Sequence, residues 1–187
     1  YMRTDSTRIS KDMQEQARDY IKRTYGDDYC PAKPNVYGKK ESAQDAHEAI
    51  RPTSLELTPK MVEPFVNRDE LKLYTLIWNR FMASQMAPQQ NESTTIELDI
   101  DDTYTFKATG SRVLFPGFSA VYEDSKKEET PQLPALKKSD VVETVLIDPE
   151  QHFTQPPARY SEASLIKTLE ELGIGRPSTY APILDTI

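Results

Sequence analysis

The chain has 187 residues and a formal net charge of −7, with 37% hydrophobic and 28% charged residues. A chain this negative is not expected to coat duplex DNA nonspecifically, and without a long apolar run it is not expected to span a membrane. Its single cysteine, Cys30, can neither close an internal disulfide nor form a zinc site by itself, which suits a reducing cytoplasm.

Charge is distributed unevenly along the chain. Residues 1–40 contain nine Lys and Arg against six Asp and Glu, whereas residues 88–130 contain four against nine. Because phosphates attract basic side chains, any nucleic-acid contact is expected in the first part, with the acidic stretch turned elsewhere. The length allows one domain or two, and the modest aliphatic content favours several small cores.

The first six residues place a tyrosine beside anion-binding groups. In an extended segment Tyr1 and Arg3 lie on one side, about 7 Å apart at roughly 3.3 Å per residue. A tyrosine can act as a covalent nucleophile, and a nearby guanidinium favours the phenolate and binds phosphate oxygens bidentately. The alternative is an extended polar segment in which Thr4 and Ser6 begin a turn.

The next segment is predicted to be helical. Apolar residues recur every three or four positions over residues 10–25, with Ser10 as a suitable N-cap and Gly26 just past the end. Residues 27–41, with their prolines, Asn35 and a glycine, then predict a loop.

Residues 42–51 predict a second, short helix, which the following proline ends. On this helix Gln44, His47, Glu48 and Arg51 would share one face by i, i+3 and i+4 spacing. The segment from His47 begins like a zinc-binding helix, but Arg51 stands where the second histidine would be, so we reject a zinc site. An ordinary surface or structural face is the alternative.

Two further helices are predicted before the composition changes. Thr58-Pro59 begins a short one that ends near Pro64, and residues 69–86 form the clearest helix in the sequence. Its inner stripe is expected to be core rather than a base-stacking surface. That stripe comprises Leu71, Tyr74, Ile77, Trp78, Phe81, Met82 and Gln85.

The middle of the chain predicts antiparallel β structure. Residues 95–100 and 103–108 alternate apolar and polar side chains around Asp101-Asp102, which predicts a hairpin. The charged, proline-bearing residues 123–139 are expected to be a flexible loop. Further short strands are expected at residues 112–115, 119–122, 141–147 and 151–155.

A last strong helix is predicted over residues 161–172, followed by a glycine-containing turn and a terminal helix with Pro177 in its first turn. Arg176, Ser178 and Thr179, beside that helix N-terminus, would form a reasonable phosphate cradle. The alternative is an ordinary helix–turn–helix with a glycine cap.

Three segments, in order, resemble the motifs of type IA DNA topoisomerases. Residues 1–6 (Tyr-Met-Arg-Thr-Asp-Ser) are similar to the active-site tyrosine motif, and residues 44–52 (Gln-Asp-Ala-His-Glu-Ala-Ile-Arg-Pro) to a second motif. The third segment, residues 161–181, begins Ser-Glu-Ala-Ser-Leu-Ile and ends Gly-Ile-Gly-Arg-Pro-Ser-Thr-Tyr-Ala. Methionine directly after the tyrosine, here Met2, is similar to bacterial topoisomerase I, whereas topoisomerase III usually has proline at this position. Reverse gyrase is a further relative.

The resemblance implies a reaction and a set of roles. Tyr1 would attack a DNA phosphodiester, leaving a 5′-phosphotyrosine and a free 3′-hydroxyl; another strand passes through the gap, and the hydroxyl reverses the reaction without ATP. Arg3 would position and stabilise the scissile phosphate, and His47 would lie near the phosphate backbone. The expected DNA-binding residues are Arg51, Arg176, Ser178 and Thr179.

The resemblance also implies a multidomain α+β architecture. Residues 1–87 would be most of the helical domain that carries the tyrosine, residues 88–160 part of a β-rich arch, and residues 161–187 the start of a helical domain supporting the DNA groove. The family's Toprim domain, with its catalytic glutamate and acidic Mg²⁺ site, is expected outside this chain, with no metal site within it.

We therefore expect a central fragment that is inactive alone. It would come from a bacterial, cytoplasmic, nucleoid-associated monomer that acts on single-stranded or underwound DNA. The alternative is a noncatalytic single-strand-binding or scaffold module that retains the motifs.

Overall fold

A computed structural model describes residues 6–38, 47–101, 103–122 and 133–187. The chain divides into two compact units, Tyr1–Leu136 and Lys137–Ile187. The predicted α+β class is confirmed, since helices and a hairpin occur together. The helices are α1 (Lys11–Tyr25), α2 (Pro59–Val62), α3 (Arg68–Gln85), α4 (Glu162–Glu171) and α5 (Tyr180–Thr186), and the strands are β1 (Gln90–Ile100) and β2 (Tyr104–Phe115).

Helix α1 confirms the first predicted helix. It begins after Ser10, whose backbone is extended, and ends at Gly26, which has φ +105°. Its buried side chains Met13, Ala17 and Ile21 recur every four residues, so the apolar stripe of the sequence is the face that enters the core.

Helix α3 confirms the clearest predicted helix, and its start is fixed by a capping box. The Asn67 side chain accepts hydrogen bonds from the amides of Asp69 and Glu70, while the Glu70 carboxylate accepts from the Asn67 amide. These bonds satisfy amides that a helix N-terminus otherwise leaves without partners.

The core of the first unit lies between α1 and α3. The rings of Tyr20 and Trp78 meet edge to face, with centroids 5.8 Å apart. Phe81 and Met82 are buried beside them, as is Leu55 from the segment before α2. The short helix α2 and the 3₁₀ turn Glu63–Phe65 that follows it confirm the helix start predicted at Thr58-Pro59.

The predicted helix over residues 42–51 is wrong for residues 47–51, which are not helical; residues 42–46 lie outside the described residues. The Ala49 amide donates to the Arg8 carbonyl at 2.7 Å. That amide would have to bond four residues back in a helix, so a tertiary contact replaces the local one.

Strands β1 and β2 form the predicted hairpin. They pair antiparallel with Ile96 opposite Ala108 and Leu98 opposite Phe106, and Asp101 takes φ +50° in the turn. Both strands are longer than predicted, because residues 112–115 continue β2 instead of forming a strand of their own.

Three predicted strands are wrong. Residues 119–122 fall in and after a 3₁₀ helix, Gly117–Ala120, and residues 141–147 and 151–155 are not strands. The sheet described in this chain has only the two strands β1 and β2, so the apolar alternation of residues 141–147 has no described strand to pair with; Val141 is 98% exposed.

The hairpin is held to the end of α3 at a close backbone approach. The Phe118 amide donates to the Ala87 carbonyl at 2.9 Å, and the Ala87 amide donates to the Tyr29 carbonyl at 2.8 Å. A Cβ on Gly117 would lie 2.4 Å from the Pro88 carbonyl oxygen. Glycine is therefore required for the chain to pass this point.

The second unit contains α4 and α5. Helix α4 confirms the last strong predicted helix, and Ser161 and Ser164 form a capping box at its start. Gly173, with φ +70°, and Gly175, with φ +77°, make the turn that follows. Helix α5 begins at Tyr180, so the prediction that Pro177 lies in its first turn is wrong.

Candidate functional site

Two of the three motif regions meet in the first unit. Residues 6–9, here called the leader, begin with the last residue of the tyrosine motif, and residues 47–50, here called the histidine segment, belong to the second motif. The Ser6 hydroxyl donates to the His47 carbonyl at 2.8 Å, and the Arg8 Nε donates to the same carbonyl at 3.3 Å. Two segments some forty residues apart in sequence thus lie side by side, and we call this contact between the leader and the histidine segment the junction.

Two further hydrogen bonds hold the leader. The Ala49 amide donates to the Arg8 carbonyl at 2.7 Å, and the Thr7 hydroxyl donates to the Gly38 carbonyl at 2.9 Å. Ile9 packs against the core cluster, so the leader enters α1 from a fixed position.

The histidine segment is anchored through the residues that follow it. Leu55 is buried in the core, and its carbonyl accepts a hydrogen bond from the indole Nε1 of Trp78 at 3.4 Å. The Tyr74 hydroxyl donates to the Leu57 carbonyl at 2.6 Å. Helix α3 therefore holds the chain after the histidine segment, as α1 holds the chain after the leader.

Arg51 is engaged with a carboxylate of its own segment. Its Nε lies 2.6 Å from Glu48 Oε2, and the two side chains are only 18% and 17% exposed. Its Nη1 also donates to the Pro52 carbonyl at 3.1 Å. Much of the charge that Arg51 would offer a phosphate is therefore balanced by Glu48.

A cavity of about 460 Å³ lies beside the junction. The leader lines one part of it, and the outward side of α3 lines another through Leu73, Leu76 and Arg80. Tyr37 also lines the cavity, and its hydroxyl donates to the Ser84 carbonyl. Burial raises the pKa of the Tyr37 phenol, against a smaller opposing effect of Arg80. The largely apolar lining suits packing more than contact with phosphates.

Tyr1 and Arg3, the proposed nucleophile and its phosphate-binding partner, lie outside the described residues, as does Gln44. His47 and Arg51 lie in the first unit, where the geometry brings His47 to the leader. The other candidates, Arg176, Ser178 and Thr179, belong to the second unit.

The predicted phosphate cradle is an exposed turn. The Thr179 hydroxyl accepts from the Arg176 amide at 2.8 Å and donates to the Arg176 carbonyl at 3.0 Å. The Arg176 Nη1 donates to the Gly175 carbonyl at 2.6 Å. Ser178 is exposed. The threonine hydroxyl thus shapes the turn, while the serine and the guanidinium stand at the surface.

Sequence reasoning missed the contact residues of the leader. The Ser6 hydroxyl donates to the His47 carbonyl, and the Thr7 hydroxyl donates to the Gly38 carbonyl. The available signal was the pair of hydroxyl residues Ser6 and Thr7 at the end of the tyrosine motif, but the sequence does not show which carbonyls those hydroxyls bind.

Within the described ranges no three His, Cys, Asp or Glu side chains come together in a way that could hold a metal ion. The described donors therefore do not fit the Mg²⁺ that the family resemblance implies, and no step is assigned to a metal in this part of the chain. None of the described helices is long and apolar enough to cross a membrane.

The chain thus has an α+β fold in which two of the three motif regions contact each other at one site. A family model described as DNA topoisomerase matches residues 1–187. The chain therefore belongs to the DNA topoisomerase family, in the type IA branch that its three motifs indicate.

Individual relatives lie close to it. The chain is 50% identical over 187 residues to DNA topoisomerase 1 of Vibrio cholerae, covering all of this chain and 21% of the relative. It is 47% identical over 188 residues to DNA topoisomerase 1 of Campylobacter jejuni, covering all of this chain and 26% of that protein.

A solved structure agrees with the sequence relatives. Full-length topoisomerase I from Thermotoga maritima matches with a TM-score of 0.82 and 41% identity, over all of this chain and 29% of that one. The resemblance to bacterial type IA topoisomerases is thus confirmed. The chain spans between about a fifth and three tenths of the length of these relatives.

Proposed function

We propose that this chain is the part of a type IA topoisomerase that carries the nucleophile for transient cleavage of one DNA strand. The supporting observation is the junction of the leader with the histidine segment, because it joins the last residue of the tyrosine motif, Ser6, and the nearby Arg8 to His47. Tyr1 lies five residues before Ser6 in the sequence, so a nucleophile there is covalently tethered to a site that contains the histidine.

The proposed chemistry is a reversible displacement. The Tyr1 phenol loses its proton as its oxygen attacks a phosphorus of the DNA backbone; a bond forms from that oxygen to the 5′-phosphate, the bond from phosphorus to the 3′-oxygen breaks, and the 3′-oxygen takes up a proton. Another strand passes through the gap, and the 3′-hydroxyl then attacks the phosphotyrosine and restores both the backbone and the phenol. The phosphotyrosine bond that forms and the DNA phosphodiester bond that breaks have similar energies, so the cycle needs no ATP. Repeated passage of a strand through the gap would relax negatively supercoiled DNA.

Separate roles follow for the charged residues. Arg3 would hold the scissile phosphate with its two-pronged guanidinium, and His47 would lie near the phosphate backbone. Arg51 would have a secondary role in DNA contact, because Glu48 already balances its charge. In the second unit, the exposed Arg176 would contact the incoming single strand together with Ser178 and Thr179.

The rest of the protein would complete the site. A Mg²⁺ ion held by an acidic cluster elsewhere would supply charge stabilisation for the phosphate. The resemblance implies that this cluster belongs to a Toprim domain outside this chain, and we therefore propose that this chain alone does not cleave DNA. The domains would be residues 1–87, 88–160 and 161–187, in a cytoplasmic, nucleoid-associated monomer that acts on single-stranded or underwound DNA.

The test uses the full-length protein and a labelled single-stranded oligonucleotide. Tyr1→Phe should abolish the covalent adduct and the relaxation of a supercoiled plasmid while leaving oligonucleotide affinity within about threefold, since only the reacting oxygen is lost. Tyr160→Phe, at a tyrosine that is 65% exposed and outside the motif, is the matched control and should remain active.

Two results would count against the proposal. Relaxation that survives Tyr1→Phe would remove Tyr1 as the nucleophile. A full-length protein that binds the oligonucleotide but never forms an adduct would favour a noncatalytic binding or scaffold module. Robust adduct formation by the isolated 187-residue chain with Mg²⁺ would contradict only the proposed inactivity of the chain alone.

A further inference from the structure

The Ser6 hydroxyl is the centre of the junction. It donates to the His47 carbonyl at 2.8 Å and accepts from the Arg8 amide at 3.1 Å. Arg8 returns to the same carbonyl through its Nε at 3.3 Å. The hydroxyl is half-buried, so water competes with these bonds less than it would at an open surface.

The carbonyl that Ser6 binds belongs to His47, the residue whose side chain the proposed function places near the phosphate backbone. The carbonyl carbon of His47 is bonded to the same Cα that carries the imidazole, so a displacement of one displaces the other. The backbone bond from Ala49 to Arg8 would remain if the Ser6 hydroxyl were removed. Loss of the hydroxyl should therefore shift the histidine without unfolding the unit.

We propose that Ser6 is a positioning residue for His47: its hydroxyl sets where the histidine lies relative to the leader, the segment that directly continues from the tyrosine motif. This inference rests on the proposed function of Tyr1 and His47. Ser6 itself is not proposed to touch DNA. It acts by holding His47 beside the leader, so that the His47 imidazole and the Tyr1 phenol would act at the same phosphate.

The expected size of the effect is moderate. Removing one such hydrogen bond corresponds to about a fivefold change in an equilibrium or a rate. Misplacement of a reacting group by about 1 Å can cost up to roughly a hundredfold. We therefore expect Ser6→Ala to slow cleavage by about five- to fiftyfold, with oligonucleotide affinity unchanged.

The experiment is a double-mutant cycle in the full-length protein, with single-turnover cleavage of a single-stranded oligonucleotide as the readout. Ser6→Ala is measured with His47 intact and in a His47→Ala background, where the slower reaction is followed for longer. If Ser6 acts through the imidazole, the substitution slows the first protein and leaves the second unchanged. Ser6→Thr keeps the donor and should restore most of the rate.

Thr7→Ala is the matched control, because the Thr7 hydroxyl donates to the Gly38 carbonyl and not to His47. It should slow cleavage less than Ser6→Ala does. Should Ser6→Ala fail to fold, Ser6→Cys keeps the side-chain size while weakening the donor, and it passes through the same cycle with the same expected outcome.

Each result supports or overturns the inference. An equal loss from Ser6→Ala in both backgrounds, a wild-type rate for Ser6→Ala, or a wild-type rate for His47→Ala would overturn it. Tyr1→Phe is run in parallel. A Tyr1→Phe protein that still cleaves shows that the proposed function has failed, whereas an inactive Tyr1→Phe beside a fully active Ser6→Ala shows that only the positioning role has failed.

Discussion

The substitution Gly117→Ala tests how the base of the hairpin is held to the end of α3. Gly117 has φ +50°, and a Cβ there would lie 2.4 Å from the Pro88 carbonyl oxygen and 2.6 Å from that of Ala87. These are backbone atoms, which cannot swing aside as the end of a long side chain can. The 3₁₀ turn would have to move away from α3 and lose the 2.9 Å bond from the Phe118 amide to the Ala87 carbonyl.

The cost has two parts. The left-handed backbone conformation costs an alanine about 1–2 kcal/mol relative to glycine. Forcing extra atoms into a packed contact costs typically about 1–3 kcal/mol. Gly117→Ala should therefore lower the free energy of unfolding of the first unit by about 2–5 kcal/mol, a large share of the stability of an ordinary domain.

Urea unfolding followed by tryptophan fluorescence measures this change. The chain has one tryptophan, Trp78, which is 4% exposed in the core of the first unit. Its emission therefore reports the unfolding of that unit.

Gly117→Asn is the matched control at the same position, because asparagine tolerates a left-handed backbone but still carries a Cβ. It should be nearly as destabilising as alanine. An asparagine variant close to wild type would show that backbone strain, not the close approach to Pro88, is the cause. An alanine variant within about 0.5 kcal/mol of wild type, the usual range for surface substitutions, would refute the reasoning altogether.

Two further predictions concern stability. Asn67→Ala removes the capping box of α3 and should cost about 1 kcal/mol in urea unfolding, whereas Ser10→Ala, at an N-cap whose side chain makes no capping bond, should cost clearly less; equal losses would contradict the structure. Burial raises the pKa of Tyr25, Tyr37 and Tyr74, while unfolded tyrosines ionise near pH ~10. The unfolded chain therefore loses its protons first, so stability should fall as the pH rises from about 10 through the native pKa values. An ultraviolet titration that shows the same phenolate midpoint in native and urea-unfolded protein would contradict this prediction.

The helices were predictable because their signals are local. The apolar period of α1 and the Gly26 that follows it are both visible in the sequence, and the same holds for the stripe that buries Trp78 and Met82 in α3. In each case local propensity and the buried face agree. The hairpin was predictable for the same reason, since its alternation and its turn are adjacent in the chain.

The failures occur where distant contacts decide the conformation. Residues 47–51 have helical spacing, but the Ala49 amide bonds to Arg8 instead. Residues 119–122 follow Gly117, which lies close to the backbone of Ala87 and Pro88 just after α3, and at this point the chain forms a 3₁₀ helix instead of a strand. Residues 141–147 have a strand-like alternation, yet a strand needs a partner, and no described strand pairs with them.

The resemblance named candidate residues for the site but not the contacts between them. The resemblance pointed to His47 and Arg51, and the geometry adds the bond from Ser6 to His47 and the pairing of Arg51 with Glu48. The first contact spans 41 residues. Hydrophobic periodicity describes neighbours along one element, so it carries no information about which distant carbonyl a serine will meet.

The hairpin also affects how the chain behaves at high concentration. In the described part of the chain β1 and β2 pair only with each other, so each strand has one side whose amides and carbonyls can pair with another molecule. Tyr104, Val113 and Leu114 are at least half exposed and would make such pairing favourable. The cross-strand ion pair of Glu97 with Lys107 places charges on the same ribbon, and charged side chains are a common protection of exposed strands against edge-to-edge aggregation.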